Sequence, residues 1–156
     1  MAKRSMLCAI LFFCLVAGVH PVSAAAPSAS SAVGIWTTPD RKTRIELRKC
    51  GKSLCGKVAW IQHSVKKDGT KPRDVKNPDS SLRSRKIVGM KLTGGFTRSK
   101  TQKGLWEKGW IYDPQSGQTY SCTITMESPE RLELHGYLGL SVFGASQAWT
   151  RVGKAP

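Results

Sequence analysis

Asp74, Asn77 and Asp79 bring three oxygen-bearing side chains into one short stretch, DVKNPDSSLRSRKIVGM. Such groups are the raw material of a cation site. A calcium loop, however, needs oxygen ligands at alternate positions, a central glycine and a later glutamate. Here Val75, Lys76 and Pro78 interrupt the pattern, and Arg83 and Arg85 add repelling charge. Asn77-Pro78 also lacks the hydroxyl residue that a glycosylation sequon requires. Zinc is equally unsupported, since no His-x-x-x-His and no zinc spacing of Cys and His occurs. No metal site and no cofactor are expected.

Other catalytic material is sparse. His63 falls at the end of a predicted strand, and His135 is predicted to face outward. No serine sits in a nucleophile elbow, and no motif pairs a cysteine with a histidine. Asp113 opens the turn DPQSG, where an acid capping its own turn, Pro114 and Gly117 each have a structural use. No catalytic residue is assigned, and the expectation is a protein that is not an enzyme.

The N-terminus reads MAKRSMLCAILFFCLVAGVHPVSA. Lys3 and Arg4 precede an apolar run from Met6 to Val19, and Val22, Ser23 and Ala24 supply small residues at cleavage spacing. This is the anatomy of a secretory signal peptide over residues 1–24. The run is shorter than the roughly 20 apolar residues of a transmembrane helix. No later segment approaches that length, so no transmembrane segment is expected after signal removal. Small and polar residues 25–32 read as a flexible tether, and 33–153 as one domain. The expected location is periplasmic or secreted.

Losing Lys3 and Arg4 lowers the formal charge from +15 by two, to about +13. That charge favours polyanions and acidic envelope lipids as partners. Lys and Arg are spread from Arg41 to Lys154, with a loose cluster at Lys66 to Arg73. No interleaving of basic and aromatic residues marks a specific nucleic-acid surface.

Beyond the leader the chain reads as short alternating runs broken by Gly, Pro, Asp and Ser, the pattern of an all-β domain. In TRIELRKC, Ile45 and Leu47 share a face. In LCGKVAWI, Leu54, Val58 and Trp60 do so. KIVGMKLT places Val88, Met90 and Leu92 together. TYSCTITM alternates cleanly, with Tyr120, Cys122, Ile124 and Met126 inward. RLELHGYL does the same with Leu132, Leu134, Gly136 and Leu138, and QAWTRV ends the series. LWEKGWIY is ambiguous, because Trp106, Trp110 and Tyr112 share a parity with Lys108. A bulge near Gly109 resolves it. Seven or eight strands in this length suit one small antiparallel barrel or a sandwich.

Three cysteines follow the leader, so an oxidising compartment implies one pair and one thiol. A hairpin turning through Gly51 to Leu54 sets Cys50 and Cys55 opposite each other on its outer face, close enough to bridge. A disulfide closing so small a loop contributes about 2 kcal/mol. Cys122 reads as buried and inert. Trp36, before the first long strand, is placed to plug one end of a closed barrel. Arg151 in the last strand then lies across its face, a cation–π contact of about 1 kcal/mol or more.

Gly34-Ile35-Trp36 with a late arginine resembles the lipocalin (calycin) signature. GIW, LCGKVAWI, DVKNPDSSLRSRKIVGM, GWIYDPQSGQTYSC, LELHGYLG and AWTRV, in that order, resemble an exported bacterial family, domain of unknown function twenty-one forty-seven. The resemblance implies an all-β fold: a single antiparallel lipocalin-like barrel of about eight strands, with a cavity for a small hydrophobic ligand. The expected interior comprises Trp60, Met90, Trp110, Tyr112, Tyr120 and Leu134. Arg83 and Arg85 are expected near the mouth, on a flap whose turn is made by Asp74, Asn77 and Asp79. A solid barrel without a cavity remains the rival interior. The rival function is a basic envelope protein that binds polyanions or acidic lipid head groups through its surface.

Overall fold

The computed structural model describes residues 32–142 and 144–153. The expected signal peptide, residues 1–24, and residues 25–31 of the expected tether lie outside the described residues. Ala32, expected as the last tether residue, is instead fully buried in the core. Its carbonyl accepts a hydrogen bond from Trp36 Nε1 at 3.0 Å.

The strands are β1 (Gly34–Thr37), β2 (Thr43–Cys50), β3 (Ser53–Ile61), β4 (Lys91–Arg98), β5 (Leu105–Asp113), β6 (Gln118–Ser128), β7 (Arg131–Tyr137) and β8 (Gly144–Gly153). Each pairs antiparallel with its neighbour in sequence, and β8 returns to β1, with Trp36 opposite Arg151. The sheet is therefore a closed barrel, and closure leaves no unpaired edge to recruit another strand. Inward residues make the core: Leu47, Leu54, Phe96, Ile124 and Leu132 are fully buried. Each such side chain contributes about 1.5–3 kcal/mol by leaving water. Phe96 occupies space that only glycine leaves open, since a Cβ on Gly109 would fall 2.1 Å from its ring.

β6 keeps the alternation its sequence predicts and β7 keeps it as far as Gly136. Leu138, expected inward, lies past the end of β7 and is exposed, and three other runs also depart from the expected pattern. Between Arg44 and Ile45 the β2–β3 register shifts: Arg44 faces Trp60, while Ile45 faces Val58. Ala59 is the extra residue, and it turns Trp60 outward, where the Arg44 guanidinium covers its ring at 4.8 Å. In β5 the register shifts between Trp106 and Gly109, around Lys108 at φ 62°. This is the bulge that the ambiguous run called for. It leaves Trp106 inside, brings Ile111 opposite Tyr120 and sends Trp110 and Tyr112 to the outer face. Finally, KIVGMKLT is not one strand. Gly89 takes φ 92°, β4 begins only at Lys91, and Val88 is exposed while Met90 and Leu92 are buried.

The disulfide joins Cys50 to Cys55. Its geometry differs in one respect from the expected facing pair. The turn is Gly51-Lys52, so Cys50 faces Ser53 and Cys55 faces Arg48, and the bridge runs diagonally over 5.8 Å between Cα atoms. Cys122 is fully buried, and burial pushes its thiol up to about 12, which leaves no thiolate at neutral pH.

The closed end of the barrel is built on Arg151. Its guanidinium lies 4.2 Å over the Trp36 ring, Nη1 donates to the Val33 carbonyl at 2.8 Å and Nε to the Pro129 carbonyl at 2.7 Å. Gly34 permits this approach, because a Cβ there would sit 2.2 Å from Nη1. Arg151→Ala is expected to lower unfolding stability by about 3 kcal/mol in urea titrations, from two charge-assisted hydrogen bonds and the ring contact. An unchanged urea midpoint would remove Arg151 from the closure.

Candidate functional site

In an antiparallel barrel of this order, the β1–β2, β3–β4, β5–β6 and β7–β8 connections share one end. At that end the barrel is hollow. A cavity of about 970 Å³ opens between these connections. Its walls are Ile45, Val58, Leu92, Ile111 and Leu134, with Trp149, Tyr120 and the small residues Gly136 and Ala145. The rim is polar: Thr38, Asp40 and Lys42 from the first turn, Gln62 and His63 after β3, and Asp113 and Gln115 from the β5–β6 turn. Gln147 also faces it, accepting from Trp149 Nε1 at 3.3 Å. Two rim acids are already engaged: Asp40 accepts from Thr38 Oγ1 at 2.6 Å, and Asp113 from the Gln115 amide at 2.8 Å. Asp113 thus caps its own turn.

Of the residues expected inside, Tyr120 and Leu134 line the cavity and Tyr112 borders its mouth. Trp60 and Trp110 do not, since the two bulges turn them outward; Trp110 lies under the Lys91 ammonium at 5.3 Å. Met90 is buried, but outside the cavity lining, where its carbonyl accepts from the Val58 amide at 3.0 Å. Arg83 and Arg85 are not at the mouth either. Both are bound within their own segment, Arg83 Nε donating to the Asn77 carbonyl at 2.8 Å and Arg85 to Asp74.

That segment, residues 62–90, is a brace along the barrel wall. Asp74 is its centre, fully buried against the outer face of β5. Its Oδ1 accepts from the Tyr112 hydroxyl at 2.6 Å, and Oδ2 accepts from Asn77 Nδ2 at 2.7 Å and from Arg85 Nε at 2.8 Å. The Arg85 guanidinium also lies 5.4 Å over the Tyr112 ring. Asn77 Oδ1 accepts from the Asp79 amide, and Asp79 caps the single turn of 3₁₀ helix at Ser80–Leu82. The β5–β6 turn meets the brace closely: a Cβ on Gly117 would fall 2.1 Å from the Lys76 carbonyl oxygen, and its φ of 78° independently favours glycine. From the brace, Gln62 and His63 at its start and Arg73 and Ile87 further on reach the cavity. The segment forms one side of the mouth and leaves it open, which corrects the expected covering flap.

Burial alone would raise the Asp74 carboxyl, but the hydrogen bonds from Tyr112, Asn77 and Arg85, with the Arg85 charge, outweigh it and hold the group below its ordinary 3.8. The Tyr112 phenol moves up, through burial and then its bond to Asp74. Both carboxylate oxygens are thus engaged within the fold, and Asp74 is buried away from the cavity. Among the described residues, no group of three His, Cys, Asp or Glu side chains is placed to hold a metal ion, and no helix is long and apolar enough to cross a membrane.

A closed eight-stranded antiparallel barrel, plugged at one end by a Trp–Arg pair and hollow at the other, defines a lipocalin-like protein. Residues 34–151 match the family described as "Uncharacterized protein conserved in bacteria (DUF2147)", and the chain belongs to that family. Among solved structures it is similar to protein HP1028 from the human pathogen Helicobacter pylori, described as belonging to the lipocalin family. The TM-score is 0.65 at 22% identity, covering 77% of this chain and 82% of that one. At that identity the likeness concerns the fold. No curated protein matches the chain in sequence.

The depressed Asp74 gives the brace a pH signature. A carboxyl whose pKa is lower folded than unfolded adds stability above its unfolded value, lost as pH falls through the folded value. Protection of brace amides against hydrogen exchange should therefore hold from neutrality to about pH 4 and fall below it. Asp74→Ala should abolish that protection already at pH 7, by leaving Arg85 and the Tyr112 hydroxyl unpaired, while amides of β6 and β7 stay protected. Loss of protection throughout the barrel would make the segment essential scaffold.

Proposed function

We propose that this chain is an exported, non-enzymatic binding protein of the bacterial cell envelope that carries a small hydrophobic ligand in its barrel. The observation that carries this reading is the open cavity of about 970 Å³ with apolar walls and a polar rim. Ligand pockets run from about 300 to 1,000 Å³ and combine apolar walls with a few orienting polar groups. Here Tyr120 and Gln147 are the polar groups among Ile45, Val58, Leu92 and Leu134. Export is supported by the leader-like N-terminus and by the Cys50–Cys55 disulfide, a bond that persists in oxidising compartments. The alternative is a basic protein that acts through its surface alone. Its support is the net charge, carried by Lys and Arg spread along the sequence from Arg41 to Lys154.

The two readings separate at Gly136. Its nearest neighbours to an added Cβ are Ile111 and Tyr120 at 3.9 Å, so a side chain there has room and enters the cavity. Gly136→Leu should leave the barrel folded and fill the space. N-phenyl-1-naphthylamine, a small neutral dye that brightens in apolar surroundings, should bind the parent protein and lose about tenfold or more in affinity to this variant. Failure of the parent to take up the dye, or equal uptake by the variant, would sink the cavity reading.

A further inference from the structure

The β7–β8 loop, which borders the cavity mouth, presents Leu138, Leu140 and Val142 at 58%, 69% and 79% exposure. Single apolar residues on a surface are ordinary, but here three large ones are exposed within five residues of one loop. The loop is not simply unpacked. His135 lies beneath it, with Nε2 2.8 Å from the Ser141 carbonyl, Nδ1 2.9 Å from Ser146 Oγ and its ring stacked on Tyr137 at 5.8 Å. Gly144 lets the strands close, since a Cβ there would fall 2.4 Å from the Gly136 carbonyl. The polar groups of the hairpin are drawn inward, and the apolar side chains are left facing water.

The same end of the barrel is basic. Lys66, Lys67, Lys71 and Arg73 come from the β3–β4 segment, and Arg41 and Lys42 from the β1–β2 turn. Asp74 is paired with Arg85 inside the brace, while Asp40, Asp68 and Asp113 keep their charge in local hydrogen bonds, so six cations against three acids leave this end positive. Apolar side chains and cations on connections at one end of the barrel match an anionic lipid surface, where the former enter the acyl–headgroup boundary and the latter meet phosphates. A second copy of the chain is a poor fit, because a formal charge of about +13 without the leader opposes self-association.

We propose that the mouth end docks on an anionic lipid bilayer, with Leu138, Leu140 and Val142 inserting and the Lys66–Arg73 cluster contacting head groups. The proposal rests on the cavity reading for its purpose: a mouth pressed to the bilayer lets an apolar ligand pass without crossing water. It is tested separately from that reading. The purified protein is floated with vesicles of phosphatidylglycerol and phosphatidylethanolamine, and with phosphatidylcholine alone. It should float with the anionic vesicles, far less with phosphatidylcholine, and detach as salt rises to about 0.5 M. The triple variant Leu138→Ser, Leu140→Ser, Val142→Ser should lose about tenfold or more in vesicle binding, with dye uptake and circular dichroism unchanged. Lys66→Gln, Lys67→Gln, Lys71→Gln should weaken binding to anionic vesicles only. The cavity-filled Gly136→Leu should still float. A parent protein that stays in solution with anionic vesicles, or a triple serine variant that floats undiminished, overturns the docking. So does a concentration-dependent dimer that the serine variant abolishes. Vesicle binding without dye uptake leaves the docking standing and removes only the cavity reading.

Discussion

The contact of Arg151 with Trp36 joins the two ends of the chain, and the rest of the barrel depends on that joint. β1 is only Gly34–Thr37, too short to hold β8 by ladder hydrogen bonds alone. The guanidinium adds bonds to the carbonyls of Val33 and Pro129, so the first strand, the β6–β7 turn and the last strand meet on one side chain. A lysine at this position offers a point charge without the planar fork that stacks on the ring and reaches both carbonyls. With the joint made, the sheet has no edge, and every inward residue can be sealed from water at that end.

Asp74 does comparable work on the outer wall, by different physics. A buried carboxylate is costly unless each oxygen is satisfied, and here Tyr112, Asn77 and Arg85 satisfy both. That requirement makes the docking of the brace specific. Asn77 and Arg85 belong to the segment itself, so docking it elsewhere on the wall would break the Tyr112–Asp74 bond and lift Arg85 from the Tyr112 ring. Apolar contacts alone would have allowed the segment to slide, because Val75 and Leu82 are exposed and contribute little burial. The acids of DVKNPDSS, which look like ligands in isolation, are therefore consumed in holding a long connection to β5.

The barrel was legible in the chain because its inward residues alternate without interruption in β6 and β7, and because Trp36 and Arg151 stand at the termini of the domain. The bulge in β5 was legible too, since the lysine at 108 had no reason to share a face with Trp106. The bulge at Ala59 carried no such signal. Val58 and Trp60 are both apolar, and an outward Trp60 is stabilised by Arg44, a partner on another strand. Arg83 and Arg85 were read as mouth residues from their position near a loop. A one-dimensional pattern does not say that a buried acid eleven residues earlier will claim Arg85. The cavity walls themselves were largely among the residues read as inward. What alternation lacks is depth: it separates inside from outside and is silent on which end of the barrel an inward residue occupies.

Depth is what makes the barrel hollow at one end only. Eight strands enclose a space that large side chains just fill. Trp36, Leu47, Leu54, Phe96, Ile124 and Leu132 supply that volume in the buried core. Toward the mouth the last two strands turn to Gly136, Ala145 and Gln147, two small residues and one polar one. No neighbour compensates for the missing volume at Gly136, where an added Cβ would find nothing closer than 3.9 Å. Contrast Gly109, where the Phe96 ring has moved into the vacated space. The two glycines face the same interior, one against a filled core and one against a void, and that difference separates a packing device from a binding site.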